Sequence, residues 1–178
     1  DWMYRLIQRS TIVVCIIVVL LCGAESFTQQ NYLMSIANAV KVDNRTIEFD
    51  VNIKSTSSNF ILTSYQCGFS FSQTIINNGN LTFSFIPGTS EFINIPPATA
   101  IGLLNEYGIF VLTCASLPGV ETITLVEKKV GRFRLRNSNN FAGIGFNIWW
   151  SFNGNGRTIL TGNVFNDITN RLYHNNLV

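Results

Sequence analysis

The chain has 178 residues, of which 47% are hydrophobic and only 12% charged, with a net charge of +2. That length suggests one domain, and so much apolar surface with so little charge excludes an intrinsically disordered chain. The small net charge excludes a general electrostatic pull toward nucleic acid or membrane surfaces.

Met3 reads as the translation start, and Arg5 and Arg9 precede an almost unbroken apolar run from Ile12 to Leu21. Ala24 and Ser26 then occupy the −3 and −1 positions of a cleavage site before Phe27. A basic start, an apolar centre and small residues at the cut mark a secretory signal peptide. The rival reading, a membrane anchor, needs about 20 apolar residues, more than the run supplies. A lipid attachment at Cys22 is disfavoured because the bulky Leu21 precedes it. We therefore expect residues 1–26 to be a cleaved leader and residues 27–178 to be one exported domain. Cleavage removes Cys15 and Cys22 and leaves the net charge at +2. Cys67 and Cys114 remain, enough for one staple and not for a disulfide framework.

Fourteen phenylalanines, with many Asn, Ser, Thr, Ile and Val, favour pleated sheet over helix. Thr46 to Ile53 alternates strictly, with Ile47, Phe49, Val51 and Ile53 on one face and Thr46, Glu48, Asp50 and Asn52 on the other. That pattern predicts a strand with one face in the core and one in water. Lys54 to Asn59 is a polar turn, and Phe60 to Phe71 resumes the alternation through Tyr65, Cys67, Phe69 and Phe71. Asn77-Asn78-Gly79-Asn80 collects residues that tolerate positive φ and predicts a turn. Leu81, Phe83 and Phe85 follow, until Pro87-Gly88 ends the run. Further strands are expected at Glu91–Ile95, Gly108–Ala115, Thr122–Glu127, Val130–Arg136, Gly145–Phe152 and Thr158–Phe165. Ala98–Glu106 reads as a short helix or an irregular crossover, and Asn153–Gly156 as a hairpin turn. Short strands separated by frequent turn signals predict an all-β sandwich or barrel. Its core should include Ile47, Phe49, Val51, Tyr65, Phe69, Phe71 and Phe83.

Catalytic patterns are sparse. The one histidine, His174, stands near the C-terminus and reads as a surface residue. Glu48 and Asp50 have the types of an acid–base pair or of calcium ligands, but a solvated strand face explains them more simply. The sequence gives no metal site, no cofactor site and no enzyme class. Arg132, Arg134 and Arg136 share one strand face and follow Lys128 and Lys129. This stripe reads as a charged edge strand, with an anionic partner as the alternative. Trp149-Trp150 places one indole on each face, one for the core and the other available for a sugar or a protein partner. Asn44-Arg-Thr and Asn80-Leu-Thr match the glycosylation sequon.

The stretches "IEFDVNIKSTSSNFILTSYQCGFSFS", "NNGNLTFSFIPGTSEF", "VGRFRLRNSNNF" and "NDITN" resemble the cohesin-like N-terminal module of large secreted Bacteroidetes proteins that often carry a type IX sorting domain. The resemblance covers about Tyr32 to His174. It implies a jelly-roll-type β-sandwich of about nine strands, of the cohesin and carbohydrate-binding-module kind. It also implies that the strands bearing Cys67 and Cys114 are neighbours, bringing the two close as a disulfide or as buried thiols. With export and the absence of a catalytic constellation, the expected function is a secreted, non-catalytic module for extracellular protein interaction or surface adhesion within a larger exported protein. The alternative is a carbohydrate-binding module using an exposed tryptophan. The expected partner is an extracellular protein or a glycan surface, with no nucleic acid and no stable membrane insertion after leader removal. Trp149, Trp150, Arg132, Arg134 and Arg136 are the candidate contacts.

Overall fold

The computed structural model describes residues 30–93, 100–106, 109–116, 121–143 and 148–176, with the backbone alone for 100–106 and 109–116. The expected leader thus lies outside the described residues. Strands β1 (Tyr32–Asp43) and β2 (Thr46–Ser55) form an antiparallel hairpin, its turn closed by Asp43 accepting the Arg45 N–H. β3 (Phe60–Leu62) and β4 (Ser64–Ser72) follow, then β5 (Leu81–Phe85). β6 (Ala100–Glu106), β7 (Ile109–Ser116), β8 (Glu121–Ile123) and β9 (Lys128–Asn137) continue the chain. It ends with β10 (Trp149–Trp150), β11 (Ile159–Gly162), β12 (Asn166–Asp167) and β13 (His174–Asn175).

These strands make a jelly-roll-type β-sandwich. The first sheet has the order β13-β1-β2-β9-β5, and the second β12-β11-β4-β7-β6 with β10 also on β4. A small β3-β8 pair stands beside them. The core follows the period-2 pattern: Ile47, Phe49 and Val51 of the first sheet are buried against Tyr65, Phe69 and Phe71 of the second. Phe83 is partly buried at the margin of the same cluster. Phe49 and Phe69 meet across the layers edge to face, with ring centroids 5.4 Å apart, a favoured aromatic geometry.

Several elements differ from the expectations above. β1 is an addition to them, hidden in the sequence because a bulge breaks its alternation. Asn38 has a positive φ of 50°, and the pairing with β2 shifts between Ala37 and Val40. Residues 100–106 form a strand, not a helix or crossover, because they pair along their whole length with β7. Glu91–Ile93 is not a strand; Glu91 is held to β9 by its backbone N–H donating to Lys129 O and its carboxylate accepting the Lys129 N–H. Asn94 and Ile95, the rest of that expected strand, lie outside the described residues. β8 ends at Ile123, where the Val126 N–H donates to the Thr124 hydroxyl and turns the chain. Of the strand expected at Gly145–Phe152, Trp149 and Trp150 form β10, and residues 145–147 are outside the described set. β11 stops at Gly162, and Asn163–Phe165 is a short 3-10 turn that ends on Phe165 with a φ of 61°.

Candidate functional site

The outer face of the first sheet is built by β2 and β9. Their register sets Glu48 opposite Arg134 and Asp50 opposite Arg132, with Thr46 opposite Arg136. Arg132 donates from Nε to Glu48 at 2.9 Å and from Nη1 to Asp50 at 2.8 Å, and Arg134 holds Glu48 at 2.6 Å. Lys129 reaches the second Asp50 oxygen, Oδ2, at 3.1 Å, and the Asn38 side-chain amide donates to that same oxygen at 2.9 Å. The bulge in β1 is what aims Asn38 at Asp50.

This network sets the proton affinities. Hydrogen bonds from Arg132 and then Arg134 hold the Glu48 carboxyl below its ordinary pKa. Burial pushes the Asp50 carboxyl the other way, but the donors Asn38, Arg132 and Lys129 outweigh it and hold it low too. Both residues are therefore ionised acceptors and neither is poised as a proton donor. Two expectations are corrected here. β9 lies between β2 and β5, so Arg132, Arg134 and Arg136 are not on an edge strand. Nor is the polar face of β2 simply solvated, since Asp50, Asn52 and Thr46 are buried beneath their partners. Arg136 stays exposed between Thr46 and Thr82.

The outer face of the second sheet has a different chemistry. Gln66, Gly68 and Ser70 hold the outward positions of β4, opposite Ala115, Thr113 and Val111 of β7. The same rows continue to Ala100, Gly102 and Leu104 of β6. None of these residue types carries a charge. Trp149 lies opposite Ser70 and is half-buried, whereas Trp150 pairs with Phe69 and packs on its ring at 5.0 Å. Thus Trp150 belongs to the core, and Trp149 is the member of the pair left to the outer face.

The glycine-rich stretch is not a hairpin turn. β10 and β11 both pair with β4, and the Ser151 N–H donates to Gly68 O, so residues 152–158 loop out of one strand line and back. This flap is pinned over β4: Thr158 Oγ1 accepts the Gly68 N–H at 3.0 Å, and the Gln66 amide donates to Arg157 O at 2.6 Å. A side chain at Gly68 has no room, because its Cβ would stand 1.9 Å from Gly156 O. Asn153, Asn155 and Arg157 face solvent from the flap.

His174 contradicts the surface reading. β13 runs parallel to β1, pairing Met34 with His174, and this brings the imidazole between Tyr32, Trp150 and Phe152 with centroids 5.4, 4.8 and 4.9 Å away. Nδ1 is 2.8 Å from Asn170 O, so that nitrogen carries the proton, and Nε2 is buried without a hydrogen-bond partner. Burial pushes the pKa down to about 4, against the hydrogen bond to Asn170. The neutral ring is a packing element that ties the first sheet to the second. Its short C-terminal segment has no strong periodicity, so the sequence carries no local signal for this role.

Cys67 and Cys114 are direct register partners on β4 and β7, as the expected neighbourhood of their strands requires. The sequon residues Asn44 and Asn80 are both exposed at turns. Among the described residues, no group of His, Cys, Asp and Glu could hold a metal ion.

No family profile and no curated protein matches the chain. Two solved structures from Acetivibrio cellulolyticus are similar. One is a type II cohesin–X–dockerin complex carrying an N-terminal interface mutation, 13% identical, covering 79% of this chain and 92% of that one with a TM-score of 0.44. The other is the second type II cohesin module of the cellulosomal adaptor scaffoldin, 11% identical, covering 82% and 92% with a TM-score of 0.43.

Proposed function

We propose that this chain is an exported, non-catalytic module that holds a protein partner on the outer face of its second sheet. One observation carries the reading: the outward residues of this face that keep partial exposure, Gln66 and the half-buried Trp149, are uncharged, as are the register rows continued by β7 and β6, while Gly68 and Ser70 between them are already buried. Interface cores are depleted in charge and enriched in aromatic residues. On the opposite face Glu48, Asp50, Lys129, Arg132 and Arg134 are already matched within the chain, and covering paired charges costs hydration that a new partner must replace. The leader-like N-terminus and the resemblance to Bacteroidetes-type cohesin-like modules extend the reading to an extracellular or cell-surface setting. They also fit a larger exported protein of which this module is one part.

A second reading is favoured by the flap. Trp149 and the solvent-facing Asn153 and Asn155 flank the same strand, the residue types of a sugar-stacking platform with amide donors. The test compares wild-type protein with Trp149→Ala and with Arg134→Glu on the other sheet. Each is probed by affinity capture of surface proteins from the source cells and by a glycan array. Capture of a defined protein that is lost with Trp149→Ala and kept with Arg134→Glu supports the first reading. Glycan binding lost with Trp149→Ala supports the second. Capture lost only with Arg134→Glu moves the site to the first sheet and overturns both.

A further inference from the structure

We infer that Cys67 and Cys114 form a cross-strand disulfide in the middle of the second sheet, a feature independent of the partner-binding proposal. β4 and β7 pair without a register shift from Tyr65 opposite Ser116 to Ser72 opposite Ile109, and Cys67 sits directly opposite Cys114 within that run. Directly opposed residues of antiparallel strands have Cα atoms about 4.5–5.5 Å apart, within the span a disulfide bridges. β7 is itself flanked by β6 on its other side, which holds the pairing away from the fraying edge. A one-residue slip would set each cysteine against a different residue and turn every side chain over, so the buried aromatic pattern of β4 protects the alignment.

Two thiols become the bond by exchange with a low-molecular-weight disulfide such as oxidised glutathione. One thiolate attacks that disulfide and releases a glutathione thiolate; the second thiolate attacks the mixed disulfide and releases the other. The two cysteines lose two electrons and two protons in all, and the oxidant is reduced to two thiols. Cys67 is fully buried, so the exchange belongs to folding, and the finished bond is shielded from reductant until the sheet opens.

The chain is refolded in a glutathione redox buffer, acid-quenched, alkylated under denaturing conditions and mapped without reduction. Trypsin leaves both cysteines in one peptide, since no Lys or Arg lies between Lys54 and Lys128; cleavage at Glu91 and Glu106 separates them. The expected result is a linked pair of peptides containing Cys67 and Cys114, resistant to dithiothreitol in native buffer and reduced on adding denaturant. Closing the loop should raise the Tm by roughly 10 °C over the protein refolded with reductant, and Cys114→Ala should abolish that difference. Cys67→Ala serves the same purpose if Cys114→Ala does not fold, and the peptide map needs neither variant. Full alkylation of both cysteines after oxidative refolding, or linkage of either one to Cys15 or Cys22, would overturn the inference.

Discussion

Along β2 and β9 the outward positions hold Glu48, Asp50, Arg132 and Arg134, each engaged by a neighbour across the pair. Along β4 the equivalent outward positions hold Gln66, Gly68 and Ser70, covered in part by the chain's own flap. Both sheets use the same alternation, and both inner faces are aromatic and aliphatic. The outer faces therefore differ in what is left over for a partner. On the first sheet Glu48, Asp50, Lys129, Arg132 and Arg134 satisfy one another, and a protein docking over them must desolvate that network. On the second, Gly68 and Ser70 are already buried, Gly68 beneath the flap. The residues of β4 and β10 that keep partial exposure there, Gln66 and Trp149, carry no charge, so covering them leaves no ion to be matched.

The largest test asks whether the two sheets share one core despite these different outsides. Phe49→Ala and Phe69→Ala should each lower stability by about 3–5 kcal/mol in denaturant unfolding, because each ring leaves a cavity between the layers. A loss near zero for either one would mean that its sheet does not contribute to the common core.

Next comes the imidazole that joins the sheets. His174 has a folded pKa of about 4, below its ordinary 6.5, so the unfolded chain binds the extra proton first. Stability should be complete above about pH 6.5 and fall as the pH drops toward 4, by about 3 kcal/mol in all. Glu48 and Asp50 are lowered as well, but their contribution fades only as the pH falls through and below the ordinary carboxylate range. The slope between about pH 6 and 5 is thus assigned to His174, and His174→Phe should flatten it in urea titrations at fixed ionic strength. An unchanged slope would detach the C-terminal strand from the acid response.

The charged face supplies a smaller effect. Asp50→Ala strands the partners Arg132 and Lys129 and should cost about 1–3 kcal/mol. If the network is as saturated as its geometry shows, Glu48→Gln should cost less, since the Glu48 site is closer to water and exposed pairs contribute about 1 kcal/mol or below. Equal costs at the two sites would remove the distinction between the buried and open ends of the network. The smallest change is expected on the other face, where Trp149→Ala should move the unfolding free energy by no more than about 1 kcal/mol. A loss as large as that for Phe69→Ala would make Trp149 a core residue and take away the platform.

Much of this architecture was legible from residues alone. The strict alternation of Thr46–Ile53 and of Tyr65–Phe71 named the apolar core residues, because period-2 patterning is a local property that burial on one face imposes. It gave no sign that Thr46, Asp50, Asn52 and Ser70 on the other face are buried as well. The Asn-rich stretch around Gly79 and the Pro87-Gly88 break likewise marked real ends of strands, since positive φ and a missing N–H act on the backbone where they occur. Trp149 and Trp150 could be split between faces, though not assigned to one. What folding alone settled was the identity of neighbours. Arg132, Arg134 and Arg136 came to lie on an inner strand of the sheet because β2 and β5 close on both sides of β9. His174 became a buried ring because β13 returns beside β1. Residues 100–106 became a strand because β7 was there to pair with. Each of these depends on contacts between segments whose pairing the fold decides, where alternation says which face a side chain takes and nothing about which strand lies next to it.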